Sequence, residues 1–179
     1  MKRRSILGLC GSAVLLPVIA GGLSVTSAMA EDSELSAADH AFIAKVSQGG
    51  MYEVEASKVA SEKAARQDIV DIGFTEVHDH QLVGAKLRSI VTSLGVELGS
   101  TLNADFQKRL DWLRSLSDKA FDNAYIKEMD AIHVADGAAF AEEAKSGHNP
   151  ALRAFAAETV LIVKRHLGSL HALPLEAIS

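Results

Sequence analysis

The chain has 179 residues, of which 48% are hydrophobic, with 18 Lys and Arg residues against 23 Asp and Glu residues. That length suits one domain large enough to bury a core. The single cysteine, Cys10, excludes an internal disulfide and a cluster of thiolate metal ligands. The formal net charge of −5, with no basic cluster beyond the start of the chain, argues against a nucleic-acid partner.

The start of the chain has the pattern of a secretory signal peptide over residues 1–30. A basic stretch at residues 2–4 is followed by an apolar one, which closes on Ala28-Met29-Ala30. We therefore predict cleavage after Ala30 and an exported, periplasmic protein. The twin arginine at residues 3–4 leaves both the general and the twin-arginine export routes open. No later apolar run reaches the roughly 18 residues of a membrane-spanning helix, so we expect no transmembrane span after cleavage.

The rest of the chain has the pattern of a helical domain. Between Ala37 and His171 the only proline is Pro150, and apolar residues recur every three or four positions. This period favours helices over strands. The predicted segments are a short lead at 31–36, a bundle domain at 37–173 and a tail at 174–179.

The first half of this domain predicts a helical hairpin followed by a long connection. The first helix should span about 37–65, and the second about 68–94, with Asp68 as its N-cap and Gly95 beyond its end. The connection over 95–117 should contain a short helix at about 104–116.

The second half predicts another hairpin. The third long helix should begin at 117 or 118 and end near Lys145. The fourth should open with Asn149 as N-cap and Pro150 as first helical residue, and reach about His171. Two hairpins joined by one long crossover predict an all-α four-helix bundle with the connectivity of ferritin-like bundles.

Each long helix has a polar residue on its apolar face, where an apolar one is expected. The residues lie three or four positions from their apolar neighbours, so they share the face that should point to the core. They are Glu53 on the first helix, Glu76 and His80 on the second, Asp122 and His133 on the third, and His166 on the fourth.

Folding the chain at its two hairpin turns brings several of these residues to one level. With a turn around residues 66 and 67, Glu53 lies level with His80. With the second turn at 147 and 148, His166 lies four residues, roughly 6 Å, from the level of His133. The predicted cluster contains Glu53, Glu76, His80 and His133, with His166 and Asp122 at its edges.

Two interpretations of this cluster stay open. Because a buried carboxylate needs a cation, a proton or strong donors, the residues could hold a metal ion such as iron, zinc or manganese. Alternatively, Glu53 with His80, or Asp122 with His133, could be buried hydrogen-bonded pairs that only fix helix pairing. Other polar residues are interpreted as solvated surface, including Glu142, Glu143 and His78, the last also as a partner for Asp79.

Several short motifs in this order resemble the exported bacterial proteins of the domain of unknown function 4142 family. The motifs are Gly49-Gly50-Met51-Tyr52-Glu53-Val54-Glu55, Asp79-His80, Phe121-Asp122-Asn123-Ala124-Tyr125, His133 and His166-Leu167. The resemblance covers nearly all of residues 37–172 and implies a ferritin-like bundle. Members of the family are often labelled outer-membrane proteins, which implies a periplasmic protein, either free or associated with the outer membrane. Where the family has Leu-Pro, this chain has Val160-Leu161, so a straighter helix should displace His166 from the other polar residues.

The residues and the resemblance together favour a binding protein over an enzyme, with a redox or hydrolytic metalloenzyme as the least favoured alternative. We expect one metal ion or small ligand in the bundle core, in envelope metal handling or stress protection. A di-iron ferritin has more carboxylates, so we expect no ferroxidase activity and no storage cage. No catalytic residue is assigned, since no nucleophile elbow, zinc-protease motif or phosphate loop occurs. The alternative is a metal-free structural or protein-binding module. The predicted metal ligands are Glu53, Glu76, His80, His133 and His166.

Overall fold

The computed structural model describes residues 34–177, which form five helices and no strand. The predicted signal peptide and its cleavage after Ala30 lie outside the described residues. The helices are α1 (Ala37–Lys63), α2 (Gln67–Ser93), α3 (Ala104–Ser115), α4 (Asp118–Ser146) and α5 (Pro150–His171).

The four long helices form a four-helix bundle, as the sequence predicts. α1 and α2 make one hairpin and α4 and α5 the other, while α1 packs beside α4 and α2 beside α5. The crossover from α2 to α4 contains the short helix α3, which packs against α1 and α4. Within residues 34–177, no helix combines the length and apolar character needed to cross a membrane.

The helix ends follow the predicted capping residues with one exception. Asn149 caps α5, where its side chain accepts from the N–H groups of Ala151 and Leu152, ahead of Pro150 at the first helical position. The prediction that Asp68 caps α2 is wrong, because α2 begins at Gln67. The Asp68 carboxylate binds the Arg66 guanidinium instead, with Oδ1 3.0 Å from Nε.

Two apolar clusters occupy the two ends of the bundle. One contains Tyr52, Phe121 and Met129, near the α1–α2 turn, and the other contains Phe42 and Phe155, near the α4–α5 turn. Of the polar residues predicted on the helix faces, all but Asp122 lie between these clusters: Glu53, Glu76, His80, His133 and His166. The apolar ends therefore keep water from reaching the polar layer along the bundle axis.

Candidate metal centre

Four side chains from three helices converge at the middle of the bundle. Glu76 and His80 are four residues apart on α2 and so share one face of that helix. His133 comes from α4 and His166 from α5. One nitrogen or oxygen atom from each residue lies within 4.8 Å of the others, and all four residues are buried. We call these four residues the His/Glu cluster.

The inner atoms of the His/Glu cluster have the separations expected of ligands around one ion. Glu76 Oε2 lies 3.0 Å from His80 Nε2, 3.2 Å from His133 Nε2 and 3.0 Å from His166 Nδ1. His133 Nε2 lies 3.3 Å from His80 Nε2 and 3.1 Å from His166 Nδ1. A tetrahedral ion with bonds of about 2.0–2.1 Å holds its ligands about 3.3 Å apart. The four residues could therefore close around a single metal ion.

Helix α1 contributes Glu53, which is buried against the outer side of two of the rings. Its Oε2 lies 3.1 Å from His80 Nδ1, and its Oε1 lies 3.5 Å from His133 Nδ1. These are the ring nitrogens that do not face Glu76. The structure thus brings Glu53 to His80 at the level that the hairpin turn predicts, with its carboxylate beside the outer nitrogens of both rings.

His133 and His166 also have hydrogen-bond acceptors beside their outer ring nitrogens. His133 Nδ1 lies 2.8 Å from the carbonyl oxygen of Met129. His166 Nε2 lies 2.9 Å from Asp79 Oδ2, which also accepts from Arg165 Nη2 at 2.5 Å. Acceptors of this kind fix the tautomer and the orientation of metal-binding histidines.

The hydrogen-bond acceptors at the outer ring nitrogens indicate which nitrogen of each ring carries the proton. A carbonyl oxygen can only accept, so the Met129 contact places the proton of His133 on Nδ1. The hydrogen bond between His166 Nε2 and the Asp79 carboxylate places the proton of His166 on its outer nitrogen in the same way. His80 has a carboxylate at each ring nitrogen, Glu53 at Nδ1 and Glu76 at Nε2. In the neutral form, the inner nitrogens of His133 and His166 then direct lone pairs at the Glu76 carboxylate. Such a convergence of lone pairs needs a cation or additional protons at its centre.

The proton affinities of the cluster show how strongly it attracts positive charge. Burial lowers the pKa of His133, but Glu76, Glu53 and the Met129 carbonyl raise it to about 9. Burial likewise lowers the pKa of His80, while Glu53 and Glu76 raise it above its ordinary value. Burial raises the pKa of Glu76, and the three adjacent imidazoles outweigh this and hold the pKa well below its ordinary range. Two buried carboxylates therefore favour a cation at this point.

The contacts of Glu76 Oε2 indicate whether hydrogen bonds alone account for the cluster. The atom is buried and, within residues 34–177, accepts no hydrogen bond, although three ring nitrogens lie 3.0–3.2 Å away. Short contacts without hydrogen-bond directions are what ligands of a common ion make with one another. Three imidazoles and one carboxylate are also a donor set suited to first-row divalent metals. The residues present therefore fit a metal ion.

His166 is more central than the sequence predicts. Helix α5 continues unbroken through Val160-Leu161. It places His166 Nδ1 against both Glu76 and His133 rather than at the edge of the cluster. The expected displacement is wrong because one turn of axial offset is spanned by side chains that reach toward each other across the bundle.

Asp122 is not part of the His/Glu cluster, so its predicted place at the edge is wrong. Its two carboxylate oxygens accept from the backbone N–H groups of Ala65 and Arg66, at 3.0 and 3.1 Å. Asp122 lies eleven residues before His133, about 16 Å along the helix axis at 1.5 Å per residue. It shares the helix face with His133 but belongs to the end of the bundle.

The sequence does not predict two buried carboxylates, Glu143 and Asp136, or the role of the half-buried Asp79. Glu143, interpreted as solvated surface, is 5% exposed. Asp136 is also buried, and its pKa is raised to about 7 by burial and by the charge of Glu53. The sequence predicts Asp79 only as a partner for the exposed His78; that contact is present, and Asp79 also binds His166. The one available signal was position, since Asp136 lies one turn beyond His133.

Comparison with known proteins gives a family but no characterised relative. No curated protein and no solved structure matches the chain. The model of a family described as a domain of unknown function, DUF4142, matches residues 24–173. This range contains all five helices and every residue of the His/Glu cluster. The chain therefore belongs to the DUF4142 family.

Proposed function

We propose that this protein binds one divalent transition-metal ion in the His/Glu cluster. Glu76, His80, His133 and His166 would be the ligands, with Glu53 supporting His80 and His133 from behind. The observation that carries the proposal is the convergence of three imidazole nitrogens on a buried carboxylate oxygen that accepts no hydrogen bond within residues 34–177. An ion at this point would satisfy all four atoms at once.

The donor set favours zinc, with iron second and manganese third. Three neutral imidazoles and one carboxylate match the tetrahedral coordination of Zn²⁺, and Fe²⁺ also accepts imidazole and carboxylate. Mn²⁺ prefers more oxygen donors than a single carboxylate supplies. Four protein ligands fill a tetrahedral shell, so the ion would be held rather than used in turnover.

The role that fits such a site is metal handling in the bacterial envelope. The signal-peptide pattern of residues 1–30 supports export to the periplasm, either free or at the outer membrane, by the general or the twin-arginine route. A buried site with four protein ligands releases its ion slowly, which suits retention of metal or protection against metal stress. The bundle would then resemble ferritins in fold but not in their oxygen chemistry.

Elemental analysis of untagged protein tests the proposal directly. Residues 31–179 would be purified from periplasm and compared with the Glu53→Gln/His133→Ala double variant. We expect near-stoichiometric metal in the wild type and none in the variant, with far-UV circular dichroism still helical. His171→Ala is the matched control, because His171 is exposed and pairs with Asp130 away from the cluster. Unchanged metal content in the double variant would overturn the proposal.

One observation favours a second candidate, a metal-free module in which the cluster only fixes helix pairing. The same carboxylates that would bind a metal raise the pKa of His133 to about 9, so protons could supply the positive charge instead. In that case a chelator leaves the melting temperature and the metal content unchanged, and His80→Leu lowers the melting temperature because it leaves the buried carboxylates of Glu53 and Glu76 without one of their partners. If metal is bound, chelation lowers the melting temperature by mass action and His80→Leu removes the ion.

A further inference from the structure

A groove lies between α1 and α2, on the side of the bundle where the crossover begins. Its volume is about 370 Å³, and it ends at the ring of His80. Its walls are mostly apolar and include Val54, Val83, Leu87 and Leu98. We call it the α1–α2 groove. The groove shares His80 with the His/Glu cluster, whereas Glu76, His133 and His166 do not line it.

Two glycines keep this groove open. Gly50 and Gly84 lie in the middle of the stretches of α1 and α2 that line it. A Cβ atom built on either glycine would have no described atom within 4 Å. Since glycine inside a helix costs about 0.5–1 kcal/mol relative to alanine, glycine at both positions is unfavourable for the helices themselves. Side chains at these positions would project into the groove and fill it.

The groove also contains a free positive charge. Arg88 lines it and, within residues 34–177, forms no ion pair, whereas the nearby Lys86 is paired with Glu158. A guanidinium beside apolar walls recognises a carboxylate, sulfonate or phosphate attached to an apolar body. Because the chain is acidic overall, a bound anion would need such a local cation.

We propose that the α1–α2 groove binds a small amphipathic anion, with its apolar body between Gly50 and Gly84 and its acidic group at Arg88. The volume is at the lower end of the range of about 300–1,000 Å³ found for small-molecule pockets, which suits a short-chain acid better than a protein segment. This site goes beyond the proposed metal binding and does not require it, because Gly50, Gly84 and Arg88, which carry the proposal, are not the metal ligands.

Two fluorescent dyes with the same aromatic rings, one with and one without an anionic group, test the apolar and the anionic parts of the proposal. 1-Anilinonaphthalene-8-sulfonate carries the anion, and N-phenyl-1-naphthylamine lacks it. Fluorescence titration of the full mature protein should give one site for the sulfonate. Gly84→Leu should weaken binding of both dyes at least about tenfold, whereas Arg88→Gln should weaken only the sulfonate, by about tenfold. Gly168→Leu is the matched control, since Gly168 also has open space around its Cβ but does not line the groove.

The results that would overturn the proposal are equally specific. Equal binding by the Gly84→Leu and Gly168→Leu variants would place the dyes elsewhere, and an Arg88→Gln effect on both dyes would remove the anion preference. A wild-type dimer that Gly84→Leu dissociates, with no dye bound by the wild type, would assign the groove to a second copy of the chain. Should Gly84→Leu fail to fold, octanoate must displace the sulfonate dye from the wild type, and a failure to displace it overturns the proposal.

Discussion

Asp39 and Asp122 make the same contact at opposite ends of the bundle. Asp39, near the start of α1, accepts from the backbone N–H groups of His148 and Asn149, at 3.0 and 3.3 Å. Asp122, near the start of α4, accepts from Ala65 and Arg66. Each carboxylate thus binds the turn of the other hairpin. The two contacts fix the axial register of the hairpins and, with it, the level at which the histidines meet.

The first prediction concerns this register. Asp122→Ala leaves two backbone N–H groups of the α1–α2 turn without their charged acceptor. The free energy of unfolding should fall by about 2–4 kcal/mol, measured by urea denaturation. Asp71→Ala, an exposed aspartate of α2, is the control and should stay within about 0.5 kcal/mol of the wild type. Similar values for the two variants would show that the turn contact contributes little.

The second prediction concerns Asp79, which supports His166 from outside the cluster. Burial raises the pKa of Asp79, but His166, His78 and Arg165 lower it to about 2, so the carboxylate stays ionised at neutral pH. Asp79→Asn removes the charge that orients the ring. Metal affinity, measured by competition with a chelating indicator, should fall about 10–100-fold while the helix content is unchanged.

His78→Ala provides the control for Asp79. His78 is exposed and contacts the same aspartate through Oδ1, whereas His166 contacts Oδ2. Its removal leaves the metal-facing geometry intact, so affinity should change less than about threefold. An equal loss in both variants would mean that surface charge, and not the orientation of His166, sets the affinity.

The third prediction is a pH dependence that arises from Glu143. Burial and the adjacent Asp39 raise the pKa of Glu143 to about 7, from an ordinary value of 4.5. Because the folded pKa is the higher one, the stabilisation is complete below pH 4.5 and is lost as the pH rises through 7. Glutamine mimics the protonated acid and keeps a donor for Asp39. Relative to wild type, Glu143→Gln should gain about 1–2 kcal/mol in free energy of unfolding between pH 5 and pH 8.

Glu142→Gln is the matched control for this pH dependence. Glu142 is the neighbouring residue on α4 but is exposed to solvent. Urea denaturation of the wild type and both variants at pH 5 and pH 8 separates the buried from the exposed carboxyl. A pH-dependent gain of the same size in both variants would show that general charge repulsion, not burial of Glu143, is the cause.

The helical period and the turn positions predict the fold and the meeting of Glu53 with His80. Both depend on distance along the axis, which is fixed at about 1.5 Å per residue. The rotation of each helix about its own axis is not fixed by the rise per residue. Asp79, three residues after Glu76, and Glu143, three residues after Phe140, lie at the margins of the apolar faces of their helices. Only the packing of neighbouring helices decides whether such residues are covered. Side-chain reach across the bundle is also not fixed by axial position, so His166 contacts Glu76 and His133 despite its offset of one turn.

The last prediction compares two adjacent glycines of α1. Gly50 has open space, so Gly50→Ala should raise the free energy of unfolding by about 0.5–1 kcal/mol through helix propensity alone. A Cβ on Gly49 would lie 2.2 Å from Asp136 Oδ2. Gly49→Ala must therefore displace a buried carboxylate and should lower the free energy by about 1–3 kcal/mol.

The comparison is informative because Gly50→Ala and Gly49→Ala are expected to change the free energy of unfolding in opposite directions. Both substitutions add the same methyl group to the same helix, so propensity and the unfolded chain contribute equally to each. Thermal denaturation of the two variants should therefore move the melting temperature in opposite directions. If Gly49→Ala also stabilised the protein, the Asp136 carboxylate would have room to move. The close packing of α1 against α4 beside His133 would then not be what holds the polar layer in place.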